Sequence, residues 1–288
     1  MTTERKVAVV TGASRGAGRG IAIALGEAGW RVYVTGRTLK EGTAPLPGTI
    51  ASAAEAVTQA GGEGIAVQVD HGVDSEIAEL FARVETECGR LDLLVNNVAD
   101  IHDDLVAPGP FWAKSPDLAG ILDVGLRSHY LASWHAAPML AKQEKGLIVF
   151  TSSFGSVCYM HGPAYGAQKA GVDKFAADMA VDFREVAPGV AAISMWMGPL
   201  LTERSRRTLE EHPEQYEGLM AQAETPEFNG RVILAMYDDP ALRDLNGKTV
   251  ISAEMAEKYG ITEAEGRQPP SHRAMLGDPR EPHPAVIR

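Results

Sequence analysis

Cysteine is nearly absent from this 288-residue chain: Cys88 and Cys158 are its only two. Two thiols make neither a disulfide framework nor a thiolate zinc site. The eight histidines show no HExxH or other ligand spacing, so no metal site is expected. No run approaches the roughly 18 apolar residues of a membrane-spanning helix, and MTTERK at the start carries no apolar signal stretch. Positive charge is also in deficit. With 27 Lys+Arg against 38 Asp+Glu, the net charge of −11 disfavours a general nucleic-acid or anionic-membrane binder. A local basic pocket for a small anion stays compatible with that balance. These shortages lead us to expect a cytoplasmic protein with no membrane span and no nucleic-acid partner.

What is present is ordinary globular material, 45% hydrophobic and 23% charged, and long enough to bury a sizeable core. Short apolar runs rich in Val, Ile and Leu occur at 6–10, 31–35, 64–69, 91–95, 146–151 and 190–195, with another at 248–252 after Asn246-Gly247. Near-continuous apolar runs, rather than strict alternation, suggest parallel strands covered on both faces. Between them lie helical patterns at 18–28, 50–60, 74–88, 116–142 and 163–186, several followed by Gly29, Gly61 and Gly89 as stops. This alternation predicts an α/β protein: one doubly wound parallel sheet of about seven strands, with helices on both faces. No second composition regime appears, so one domain is expected over 1–252. A proline-rich extension follows over 253–288, packed on the domain or used at an oligomer contact.

Directly after the first run comes VTGASRGAGRG, with Gly12, Gly16, Gly18 and Gly20. A glycine loop between a strand and a helix lets backbone N–H groups approach a pyrophosphate at the helix N-terminus. Further on, Tyr165 and Lys169 are four residues apart, which places both on one helix face. A tyrosine beside an ammonium can give or take a proton. A free tyrosine titrates near 10, and a neighbouring ammonium is expected to lower that value.

The T-G-x-x-x-G-x-G spacing, Asn96-Asn97 after the fourth strand and Tyr165-Gly166-Ala167-Gln168-Lys169 together resemble the short-chain dehydrogenase/reductase (SDR) superfamily over about residues 5–252. VGLRSHY at 124–130, AYGAQKA and NGKTVISAEMAEKYGI at 246–261 look like the branch of dehydrogenase/reductase SDR family member 1-like proteins. That branch shares the C-terminal extension. The resemblance implies a single-domain Rossmann fold and hydride transfer between a nicotinamide dinucleotide and a carbonyl or alcohol substrate.

It implies catalytic Ser152, Tyr165 and Lys169. Among Thr151, Ser152 and Ser153, the family spacing of 13 before the tyrosine selects Ser152, with Ser153 the runner-up. It further implies Gly12, Ser14, Arg15, Gly16, Gly18, Arg37, Asp70, Asn97, Gly198 and Thr202, with Tyr165 and Lys169, around the cofactor. Relatives that prefer NAD carry an acid at the end of the second strand. Here Gly36 stands there, followed by Arg37, and Arg15 lies in the glycine loop, which favours NADP(H) over NAD(H). One departure is Gly125, 40 residues before Tyr165, where many relatives hold a relay water with Asn. A nucleotide-binding regulatory protein with little turnover is therefore the alternative. A methyltransferase on the same sheet leaves Tyr165 and Lys169 without a task. The segment at about 200–229 is expected to cover the substrate. Leu209, Met220, Phe228, Phe154, Tyr159 and Met160 suggest an apolar pocket, although the same residues also suit a core. The helices at 116–142 and 163–186 are expected to form a homodimer or homotetramer contact.

Overall fold

The computed structural model describes residues 5–288. Seven strands, β1 (Val7–Val10), β2 (Arg31–Gly36), β3 (Glu63–Gln68), β4 (Leu93–Asn96), β5 (Gly146–Ser152), β6 (Val190–Trp196) and β7 (Thr249–Ile251), form one sheet. Its order is β3-β2-β1-β4-β5-β6-β7, and every pairing is parallel. The chain runs outward from β1 in one direction and then returns to β4 on its other side. The strand order thus reverses between β1 and β4, the crevice where such sheets bind ligands.

The alternation along each strand divides the core in two. Ala8, Val10, Val32 and Val34 face one layer with Ile21, Leu25, Phe228 and Val232, contributed by α1 (Gly16–Glu27), α2 (Ile50–Gln59) and a helix at Pro226–Asp238. Val7, Val9, Leu94 and Ile148 face the other, with Ile77, Leu80, Ala132 and Val172 from α3 (Asp74–Cys88), α4 (Ser128–Leu140) and α5 (Pro163–Val186). Both faces are sealed, which is why the strands read as unbroken apolar runs. No helix among the described residues is long and apolar enough to cross a membrane.

One predicted helix is two pieces. The expected 116–142 helix begins as a tight turn at Pro116–Ala119 and is kinked at Val124 (φ −103°, ψ 91°) and Gly125 (φ 139°, ψ −23°) before α4 begins. A positive φ of that size suits glycine and strains other residues. The carbonyls freed by the kink find partners: Asp100 N–H donates to Val124 O at 2.9 Å, and Gln168 Nε2 donates to Gly125 O at 2.6 Å.

The extension lies against its own chain. After a helix at Ser252–Tyr259, Arg273 forms a forked ion pair with Glu254 (2.8 and 2.6 Å) and reaches Asp278 at 2.6 Å. Leu276 packs on the cluster of Phe154, Trp196, Ile251 and Ala253, and the His272 ring stands edge-on to Phe154.

Candidate active site

The glycine loop lies at the C-terminal end of β1. Gly12 takes φ 65°, and a Cβ there would stand 2.7 Å from Val98 Cα, so no side chain fits without movement. Gly18 is equally constrained, since a Cβ would meet Asn97 Nδ2 at 2.5 Å. Asn97 fastens the loop by donating to Thr11 O (2.8 Å) and Gly12 O (3.2 Å). Ser14 is buried, and Ala13 N–H donates to Thr35 O at 2.8 Å, tying the loop to β2. The result is a bare backbone cradle at the start of α1, whose N-cap Arg15 makes no side-chain cap. Such a cradle fits a diphosphate.

In this structure one cradle donor is engaged: Gly16 N–H donates to Glu203 Oε2 at 2.8 Å. Glu203 opens α6 (Glu203–Glu211), capped by Thr202 through a reciprocal bond with Ser205. Thr202 also reaches the loop, its Cγ2 3.7 Å from where a Gly16 Cβ would stand.

At the end of β2, Arg37 is exposed, and its guanidinium lies 3.9 Å from Asp70 Oδ2. Arg15 behaves differently. It donates to Pro47 O (3.0 Å), Gly48 O (2.7 Å) and Thr38 Oγ1 (3.0 Å), so it braces the loop after β2 as well as standing in the glycine motif.

The chemical end is built by α5, which opens at Gly162-Pro163 and carries Tyr165, Lys169 and Asp173 at successive i, i+4 positions. Tyr165 OH lies 2.9 Å from Ser153 Oγ, and its ring rests on Gly155, where a Cβ would come within 2.6 Å of Cε1. Here the structure departs from the spacing argument. Ser152, still within β5, points its hydroxyl to Lys169 O at 3.4 Å and not to Tyr165. Side chains alternate across a pleated strand, so adjacent serines cannot both face the tyrosine. Ser153 begins the next turn, where its Oγ also accepts Gly155 N–H at 3.2 Å.

Lys169 is buried and donates to Thr151 O at 3.2 Å, with Nζ 5.3 Å from the Tyr165 ring centroid. Burial pulls its ammonium down to about 8, against an upward pull from Asp173. Burial also pushes the Tyr165 phenol above its ordinary value, partly offset by Ser153. Burial, and not the lowering expected from Lys169, therefore sets the direction for Tyr165 in this arrangement.

Sequence reasoning missed three residues, two of them buried and Asp173 half-buried. Asp173 accepts Ser194 Oγ (2.5 Å) and Trp196 Nε1 (3.0 Å). Glu224 accepts Ser252 Oγ (2.6 Å), Asn229 Nδ2 (2.9 Å) and the Gly198 N–H, and so holds the loop after β6. Gln168 is fully buried against Gly125. Conversely, Phe228 and Phe154 are core residues and not pocket lining, while Tyr159 is exposed.

The short chain dehydrogenase family model matches residues 6–213. The chain belongs to that family. Its members are oxidoreductases that use nicotinamide dinucleotides. The chain is 37% identical over 273 residues to dehydrogenase/reductase SDR family member 1 of Homo sapiens, covering 91% of this chain and 84% of the relative. It is 30% identical over 245 residues to the 3-oxoacyl-[acyl-carrier-protein] reductase of Synechocystis, covering 85% of this chain and 94% of that one. A solved Xanthomonas campestris structure superposes with a TM-score of 0.75 at 26% identity, covering 93% of this chain and 94% of the other.

Proposed function

We propose that this SDR-family oxidoreductase is NADP(H)-dependent and interconverts a carbonyl and an alcohol, with Tyr165 as general acid/base and Ser153 and Lys169 beside it. The observation that carries this reading is the 2.9 Å pairing of Ser153 Oγ with Tyr165 OH, directly above the buried Lys169. The dinucleotide, when bound, supplies or accepts the hydride. Everything else falls to the chain. Ser153 and Tyr165 converge as donors on one point, where a substrate oxygen gains negative charge during reduction. Tyr165 delivers the proton to that oxygen. Lys169 holds positive charge beneath the ring and favours the phenolate that this transfer leaves.

The cradle of Gly12, Ser14, Gly16 and Gly18, fastened by Asn97, suits the diphosphate. Thr202 and Gly198 flank its other side, and Asp70 lies at the adenosine end. Support for a 2′-phosphate comes from Gly36 and Arg37. No carboxylate stands at the end of β2, and a Cβ at Gly36 would already press Ile50 Cγ2 at 3.2 Å. Arg37 is the exposed guanidinium there, while Arg15 braces the loop carrying Thr38. The accompanying reading is a homodimer or homotetramer in the cytoplasm, joined through α4 and α5, where Tyr130 and Trp134 are exposed.

Calorimetric titration tests the cofactor assignment. NADPH should bind at least about tenfold tighter than NADH, the value of one charge-assisted contact. Arg37→Asp should narrow or invert that preference. Equal affinities in the parent chain would refute the NADP(H) assignment. Tight NADPH binding without turnover on any ketone, aldehyde or quinone would favour the regulatory alternative.

A further inference from the structure

We propose that Asp173 is a positioning residue for this site: its half-buried carboxylate, fixed by Ser194 and Trp196, is the counter-charge that keeps Lys169 an ammonium beneath Tyr165. This inference rests on the function proposed above. Tyr165, Lys169 and Asp173 occupy one face of α5 at intervals of four residues, each about one turn below the last. The carboxylate is held from β6 by the Ser194 hydroxyl at 2.5 Å and by the Trp196 indole N–H at 3.0 and 3.2 Å from its two oxygens. The Ser152 and Ser156 hydroxyls lie near enough to favour the charged form as well, although Ser152 gives its proton to Lys169 O. Burial pushes the Asp173 carboxyl above its ordinary value, and these neutral donors oppose that push by favouring the charged form.

No ion pair joins Asp173 to Lys169; the two act through space in a low-dielectric interior, where a unit charge one turn away has a large effect. Its sign is favourable, since Asp173 opposes the loss of charge that burial imposes on Lys169. The other titratable groups nearby do not supply that charge. His129 on α4 is fully buried and pulled down to about 3, and His71 beside it to about 4, so both are neutral at working pH. Among the described residues, Asp173 is the one charged group that acts on the Lys169 ammonium. From β5 and β6 only neutral donors arrive.

The test is Asp173→Asn, which keeps the shape and removes the charge. With less negative charge below it, Lys169 deprotonates at lower pH. The alkaline fall in kcat for ketone reduction should therefore move down by about one pH unit, with KM for the ketone changed little. A second measurement needs no substrate. In melts of the protein alone over a pH series, the rise in stability that accompanies Lys169 deprotonation should begin about one unit lower in the variant. Ser194→Ala, which removes one donor and leaves the carboxylate, should shift both in the same direction by less. An unchanged pH profile and an unchanged melt series in a folded Asp173→Asn protein would overturn the proposal. If the parent transfers no hydride but the melt shift appears, the charge pairing stands and the catalytic reading falls.

Discussion

Ser152→Ala and Ser153→Ala separate two adjacent hydroxyls that spacing alone would confuse. Ser153 Oγ is 2.9 Å from Tyr165 OH, beside the point where the proposed reaction seats the substrate oxygen. Deleting a donor aimed at a developing oxyanion costs about 2.7–4 kcal/mol in the barrier, or about 10²–10³ in kcat. Ser153→Ala should lose that much in initial rates of NADPH oxidation on any ketone the parent reduces, with NADPH affinity nearly intact. Ser152 donates a long 3.4 Å hydrogen bond to Lys169 O and not to Tyr165. Its removal loses one long hydrogen bond to a backbone carbonyl, a stability cost of about 0.5–1.5 kcal/mol. A chain of this length then melts a few degrees lower, at about 2–4 °C per kcal/mol, while kcat falls less than about tenfold. A folded Ser152→Ala protein that loses as much kcat as Ser153→Ala would refute the assignment and restore the spacing of 13.

Tyr165→Phe keeps the ring on Gly155 and deletes the acid, so NADPH should still bind while kcat falls by about 10² or more; full activity would place the proton donor elsewhere. Lys169→Met should melt above the parent at neutral pH, because burying an ammonium pulled down to about 8 costs about 3 kcal/mol there. Between pH 8 and about 10.5 the unfolded chain binds the extra proton, so the parent gains stability as pH rises and the gap closes; a constant gap refutes this. Gly125→Asn has room for its Cβ, with Gln168 Cγ no nearer than 3.5 Å, yet must adopt φ 139°. It should lose about 1–3 kcal/mol of stability, read as a lower melting temperature, and a stable variant of equal or higher turnover would defeat this account.

The parallel sheet was legible because both of its faces are buried, so each strand announced itself as a run of Val, Ile and Leu without needing any partner. The glycine loop and the Tyr165/Lys169 pair were legible for a related reason: their geometry is local, set within one turn or one loop. What escaped depends on contacts far apart in sequence or on small conformational steps. The choice between Ser152 and Ser153 rests on which side of a pleat each occupies, and a one-residue shift reverses it. The 116–142 pattern kept its helical period through Gly125, because a kink that rotates the backbone leaves apolar residues on both sides apolar. Its true signal was the glycine itself, whose compensating partner, Gln168, stands 43 residues on. Asp173 lies four residues past Lys169, in a position where an acid usually marks a solvated helix face. Only β6, folding across to deliver Ser194 and Trp196, turns that face inward and makes its charge count. Glu224 is hidden for the same reason, since Ser252 and Gly198 reach it from separate elements. The glycine loop and the Tyr165/Lys169 pair were thus readable, and the acids behind them were not, because such a carboxylate is defined by donors that only the fold assembles.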